Sequence, residues 1–293
     1  MIVRTFEGAR LTDAKVGSGM PMKAPRLCTA TVVNREFRAP GFWYVRLRCE
    51  HVAHNAGPAQ YVALDLPGGF AVRLPLGIYT ASDDAFGLLF QEWGERTSCL
   101  AALPEGEEIS CIGPLGNEFT LPKRGSKATI VAGGLGVAAF WMLSRDLRAA
   151  GIDTTIVLGA RSKDHVVGRE ELAAFGFPIE VCTDDGSFGF HGNVVERLRS
   201  LPPPGMLYGC GPRGMLRELC AHANTASIRC QISMEETFGC SMGTCWGCVV
   251  PVRRGSTQGT GYPQAPGEQR NFDFARVCAD GTVFSAAEVV WKA

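Results

Sequence analysis

Cys240, Cys245 and Cys248 stand in the run Phe-Gly-Cys-Ser-Met-Gly-Thr-Cys-Trp-Gly-Cys, a C-x4-C-x2-C triplet. Thiolates are soft ligands that suit iron–sulfur clusters and zinc. The triplet has the spacing of plant-type 2Fe–2S proteins, whose fourth cysteine lies far downstream. One cysteine follows it, Cys278 in Val-Cys-Ala-Asp-Gly. Ligands to a compact inorganic core must bend around it. Gly239, Gly243 and Gly247 allow that bend and turn N–H groups toward the sulfurs. Structural zinc usually takes two short-spaced pairs of ligands, a poorer match to a triplet with one remote partner. Buried free thiols are the other alternative. The spacing predicts a 2Fe–2S cluster on Cys240, Cys245, Cys248 and Cys278.

Other motifs point to nucleotides. Gly133, Gly134 and Gly136 form a glycine turn at the end of a strand, where pyrophosphate oxygens can approach N–H groups at a helix N-terminus. Ala139 takes the last glycine position of a strict G-x-G-x-x-G, so by itself the turn is equally well structural. Its place at the head of strand–helix units favours a dinucleotide. Gly209, Cys210, Gly211 and Pro212 close a second strand. Ligands of open α/β sheets bind outside such strand ends, which puts Cys210 opposite a nicotinamide or, alternatively, in a tight core turn. Arg161 and Lys163 follow the second strand of the α/β block, where a 2′-phosphate can sit, and no acidic residue ends that strand. NAD and NADP both stay open on these residues. In the first half, Arg73-Leu74-Pro75-Leu76-Gly77 supplies a strand edge for an isoalloxazine. Arg73 and the N–H groups of residues 94–98, including Gly94 and Thr97, supply a cation and donors for its pyrophosphate. Each of these stretches also reads as an ordinary surface strand or turn.

The elements that must position these residues fall into blocks. Residues 1–25 read as an irregular leader. Residues 26–125 hold short alternating segments at 28–37, 42–50, 60–66 and 86–94, with only a possible helical turn at 97–103. Many short strands divided by Gly and Pro predict an antiparallel barrel. From residue 126 to 233, strands and helices alternate, with a helix expected over 137–151 directly after the glycine turn. That pattern predicts parallel strands with right-handed crossovers. Residues 234–293 are rich in glycine and cysteine, and 253–271 is polar enough to be only a loop or an extended hairpin.

The composition fits this division. At 293 residues the chain has room for two or three domains. Zero formal net charge argues against nucleic acid as a partner. No run approaches the roughly 20 apolar residues of a membrane span. The N-terminus lacks a signal-type apolar stretch, so a cytoplasmic location is expected. The eight cysteines outside the set above, Cys28, Cys49, Cys99, Cys111, Cys182, Cys210, Cys220 and Cys230, are scattered and expected mostly to be small buried hydrophobes. The five histidines show no ligand spacing.

The order of these motifs resembles the ferredoxin reductase superfamily. More closely it resembles the electron-transfer subunit of the NAD-linked dihydroorotate dehydrogenases, an iron–sulfur flavoprotein. The resemblance rests on residues 113–119, the glycine turn, 158–164, 209–216 and the closing stretch from Ser233 to Trp291, and covers about 27–293. Related subunits serve sulfhydrogenases and NADH-dependent ferredoxin:NADP oxidoreductases. The resemblance implies FAD in the barrel, NAD(H) in the α/β domain and a 2Fe–2S cluster at the C-terminal end. It also implies a partner oxidoreductase subunit in a hetero-oligomer. It casts Cys210 as the residue at the nicotinamide. Gly133, Gly134, Gly136, Gly211 and Pro212 would lie along the dinucleotide, and Gly94 and Thr97 near the flavin pyrophosphate. The family's Arg-Pro-x-Ser is here Leu74-Pro75-Leu76-Gly77, with Arg73 one position early on the opposite strand face. The stretch from Cys248 to Cys278 is also longer than is usual for the family. Two functions follow: electron transfer between NAD(H), FAD, the cluster and a partner, or a relay subunit that no longer holds FAD.

Overall fold

A computed structural model describes residues 24–260 and 270–291. Nearly all of the expected leader, and the middle of the 253–271 stretch, lie outside the described residues.

The first unit is an antiparallel seven-stranded sheet of β1 (Arg26–Ala39), β2 (Phe42–Arg48), β3 (Tyr61–Asp65), β4 (Leu74–Gly77), β5 (Thr80–Ser82), β6 (Ala85–Gln91) and β7 (Glu108–Leu115). Its order is β4-β3-β7-β1-β2-β6-β5. Strands β3 and β6 are apolar on both faces for a packing reason. Val62, Leu64, Phe86, Leu88 and Phe90 fill the barrel interior. Tyr61 and Ala63 point outward into a core shared with Val131 and Ile232, and Leu89 into one shared with Ile130 and Phe140. Two helices interrupt the strands, α1 (Glu50–Asn55) and α2 (Glu95–Ala102). The sequence pattern suggested only a turn near the second. Each buries just two side chains, too few to create a helical period.

The second unit contains β8 (Lys127–Gly133), α3 (Trp141–Ala149), β9 (Asp153–Ala160), α4 (Arg169–Ala173), β10 (Ile179–Thr183), β11 (Phe190–His191), α5 (Val194–Arg199), β12 (Met206–Cys210), α6 (Arg213–Thr225) and β13 (Arg229–Ser233). The strands run parallel in the order β11-β10-β9-β8-β12-β13. The order reverses between β8 and β12, so a crevice opens at their carboxyl ends. The helix expected over 137–151 is divided. Gly134–Ala139 winds as a 3-10 segment and α3 starts only at Trp141. Left-handed Gly134, at φ 53°, tightens the turn.

The third stretch forms a hairpin, β14 (Val249–Arg253) with β15 (Phe272–Arg276), and then β16 (Val283–Ser285), which pairs antiparallel with β13. The chain therefore returns to extend the parallel sheet. Val250, Val252, Ala275 and Phe284 share one core with Leu207 and Ile232. Among the described residues no helix is long and apolar enough to cross a membrane.

Candidate functional site

The three units meet at a cavity of about 210 Å³. The barrel contributes Tyr61, Pro75, Leu76 and Gly77. The crevice between β8 and β12 contributes Leu135, Ala138, Ala139 and Cys210, and the last segment contributes Glu235, Phe238 and Thr282. The volume is below the roughly 300–1,000 Å³ of whole-ligand pockets, which suits one planar end of an extended ligand. Gly77 is open: a Cβ there would meet nothing within 4 Å. Leu74, which stands where the Arg-Pro-x-Ser pattern has its arginine, is packed in the barrel core. Arg73, just before the strand, reaches the Asp65 carboxylate at 3.9 Å. Its Nε is buried without a partner, an unsatisfied donor of the kind an anionic ligand would engage.

Next to Arg73 is the start of α2. Arg96 Nη1 donates to the Arg73 carbonyl at 3.2 Å, so two guanidinium groups flank this helix. The Thr97 hydroxyl accepts from the N–H groups of Trp93 (2.9 Å) and Gly94 (3.1 Å) and shapes the turn into the helix. A Cβ on Gly94 would also meet nothing within 4 Å. Arg96 and Trp93, the latter 77% exposed, are the residues that motif spacing missed here.

The two predicted glycine turns are brought together. A Cβ on Gly136 would collide with the carbonyl of Cys210, and one on Gly133 would come within 2.8 Å of Pro212. Only glycine lets β8 and β12 close this tightly. Cys210 is buried at the cavity wall. Burial, reinforced by the nearby Glu235 carboxylate, holds its thiol neutral. Desolvation raises the pKa of Glu235 itself, a residue no motif had singled out. At the outer end of β9, Arg161 is exposed and is not alone. The N–H groups of Asp184 and Asp185 bond the carbonyls of Ala160 (3.1 Å) and Arg161 (3.3 Å). The acidic residues missing from the end of β9 thus arrive from the end of β10. Lys163 is held alongside by its N–H to Ser187 Oγ at 2.8 Å.

The cysteine loop has its sulfurs surrounded by donors. Met242, Thr244 and Cys245 N–H groups reach Cys240 Sγ at 3.5, 3.3 and 3.3 Å. Gly247 N–H reaches Cys245 Sγ at 3.4 Å, and Cys278 N–H reaches Cys248 Sγ at 3.4 Å. Ser241 and Trp246 hold positive φ at some cost in backbone strain, and Gly243 holds it without one; these turns accompany the inward aim of the N–H groups. Backbone N–H groups thus join the cysteines as two pairs, Cys245 to Cys240 and Cys278 to Cys248. Among the described residues no three such side chains close around a single ion. Burial opposes ionisation of Cys240, but hydrogen bonds from Thr244 and the N–H groups of Cys245 and Met242 outweigh it and bring the thiol to about 6. The Cys278 thiol does the same for Cys248, also about 6, and is itself held protonated.

Two residues from elsewhere clamp the loop. The Tyr61 hydroxyl donates to the carbonyls of Ser241 (2.9 Å) and Cys278 (3.0 Å), linking barrel to loop, and its ring packs on Phe238 at 5.1 Å. Arg276 donates to the Gly243 carbonyl at 2.8 Å, lies 4.9 Å from the Trp246 ring centroid and pairs with Asp280.

No family model matches the chain. Among curated proteins it is 31% identical over 261 residues to the dihydroorotate dehydrogenase B (NAD(+)) electron transfer subunit of Desulforamulus reducens, covering 87% of this chain and 94% of that one. The subunit of the same name from Enterococcus faecalis is 32% identical, covering 89% and 97%. That from Bacillus caldolyticus is 37% identical over 207 residues, covering 69% and 73%. Among solved structures the chain superposes on an NADH-dependent reduced ferredoxin-NADP oxidoreductase with a TM-score of 0.76 at 24% identity, covering 89% and 90%. It also superposes on the ferredoxin reductase of a carbazole 1,9a-dioxygenase, at 0.63 and 17%, covering 71% and 68%.

Proposed function

This chain belongs to the family of dihydroorotate dehydrogenase B electron transfer subunits, and from that premise we propose that it carries electrons between NAD(H), FAD, a 2Fe–2S cluster and a partner oxidoreductase subunit in the cytoplasm. The observation that carries the reading is the single cavity where Gly77, Cys210 and the segment leading into the cysteine loop meet. When bound, the flavin supplies the change from hydride exchange to single-electron transfer, and the cluster supplies the one-electron outlet.

The chain's own residues have distinct tasks. Gly77 and Pro75 offer the open edge for the flavin ring, while Arg73, Arg96 and the start of α2 hold its phosphates. The missing arginine at position 74 is offset by Arg73, whose buried, unpartnered Nε is free to take an anion. The glycine turns at Gly133–Gly136 and Cys210–Pro212 hold the nicotinamide dinucleotide. Neutral Cys210 gives the nicotinamide an uncharged wall. Asp184 and Asp185, beside Arg161, favour a ribose diol and hence NAD(H) over its 2′-phosphate. Cys240, Cys245, Cys248 and Cys278 would hold the cluster, and the N–H donors around their sulfurs would stabilise the negative charge it carries. The three units correspond to residues 26–125, 126–233 and 234–293.

The rival reading is a relay subunit without FAD, and Leu74 in the barrel core favours it. One measurement separates the two. Anaerobically purified protein should show flavin and iron–sulfur absorbance, about one FAD per chain, and bleaching by NADH ahead of NADPH. An iron–sulfur spectrum with no flavin, even after FAD is added, would leave the relay reading standing.

A further inference from the structure

The clamp on the cysteine loop brings a charge as well as a hydrogen bond. Arg276 lies in β15 opposite Val249 and just before Cys278 in the chain. Its Nη1 donates to the Gly243 carbonyl at 2.8 Å, in the stretch between Cys240 and Cys245. Its guanidinium carbon stands 4.9 Å from the centroid of the Trp246 ring, between Cys245 and Cys248. A side chain that is always charged is thus set against the segment that carries the cysteines. The fit is close: a Cβ on Gly243 would come within 2.9 Å of Arg276 Nη1 and 2.8 Å of the Ala279 Cβ. Asp280 occupies the other edge of the guanidinium. Nε donates to Oδ2 and Nη2 to Oδ1, each at 2.9 Å, and the Arg276 backbone N–H donates to Oδ2 at 2.8 Å. This two-point fork is the strong, geometrically fixed form of an arginine–carboxylate pair. The Arg276 and Asp280 side chains are only 24% and 15% exposed, so solvent screens their fields less than those of a surface pair. Gripping the loop takes one N–H. The carboxylate behind it also sets how much of the positive charge the loop feels.

Resting on the cluster reading above, we propose that Arg276 and Asp280 together set the reduction potential of the cluster, the guanidinium raising it and the carboxylate limiting that rise. Reduction adds one electron, and so one negative charge, to a group held by thiolates. A cation on the loop favours the reduced state, and an anion disfavours it. Both side chains also brace the loop, but bracing and charge predict different signs. Loosening the loop changes solvent access and the N–H bonds to the sulfurs in the same sense whichever partner is removed. Removing charge acts in opposite senses for the two residues.

The test is an EPR-monitored redox titration of the anaerobically purified full chain, with iron and acid-labile sulfide counted first. Arg276→Gln should lower the midpoint potential and Asp280→Asn should raise it. Arg276→Lys keeps the charge but loses the fork, and should stay nearer the unaltered protein than Arg276→Gln does. The double variant Arg276→Gln with Asp280→Asn should return toward the unaltered value. Shifts of the same sign in both single variants, or no shift in either, overturn the proposal while the cluster reading stands. Unaltered protein that holds no iron and sulfide overturns the cluster reading and the proposal with it. Should Arg276→Gln fail to fold or to hold iron, Asp280→Asn and Arg276→Lys still decide. A rise in the first with little change in the second supports the proposal, and no rise in the first overturns it.

Discussion

At the scale of single residues, the cysteine loop and its clamps carry the sharpest expectations. Cys278 is buried against Cys248, whereas Cys230 lies in β13 as part of the shared core. Cys278→Ser should abolish or strongly shift the reduced 2Fe–2S EPR signal, and Cys230→Ser should leave it unchanged. The reverse pattern would reassign the fourth ligand. Tyr61 is the second test. Its hydroxyl is the bond from the barrel to both ends of the loop, and it is 3% exposed. Tyr61→Phe leaves two carbonyls short of a donor at a cost of about 1–3 kcal/mol. It should lower the unfolding temperature and speed loss of iron to a chelator. An unchanged rate of iron loss would remove Tyr61 from the loop's support.

At the scale of elements, the crevice depends on how closely β8 and β12 approach. Two neighbouring glycines serve this for different reasons, and that difference can be measured. Gly136 faces the Cys210 backbone with no room for a methyl group. Gly136→Ala should cost about 1–3 kcal/mol through overpacking and weaken NADH binding as the turns separate. Gly134 has open space around its Cβ position but a φ of 53°. Gly134→Ala should cost only about 1–2 kcal/mol of left-handed strain and weaken NADH binding less than Gly136→Ala does. Calorimetry paired with NADH titration separates the two. Equal losses of affinity would mean that conformation, not contact, sets the crevice.

At the scale of the whole molecule, one short segment ties the units together. Thr282 Oγ1 donates to Ala59 in the barrel at 2.6 Å. Asn117 exchanges hydrogen bonds with Val283 at 2.9 and 2.6 Å, and Met234 N–H reaches the Thr282 carbonyl at 3.0 Å. Phe284, fully buried beside them, fills the core under β13. The molecule should therefore unfold in one cooperative step despite its three units. Phe284→Ala should lower that single transition by about 3–5 kcal/mol. Two resolved calorimetric transitions in the unaltered protein would show that the segment does not couple the units.

The sequence by itself determined the parts that are local. The C-x4-C-x2-C spacing, the glycine turns, the alternation of strands and then of strands with helices, and the family they resemble are patterns over a few to a few tens of residues; the fold agrees with the alternation of elements and the relatives with the family. What needed the tertiary structure is whatever depends on residues far apart in the chain. Tyr61 sits under the cysteine loop although about 180 positions separate it from Ser241. Asp184 and Asp185 complete the end of β9 from a different strand. Strand β16 joins a sheet that its own three residues do not announce. Cys28 and Cys111 become direct cross-strand partners only when β1 and β7 pair. Short-range patterns follow from backbone geometry and side-chain period, which act between neighbours. Packing acts between surfaces, and which surfaces meet is decided only when the whole core closes.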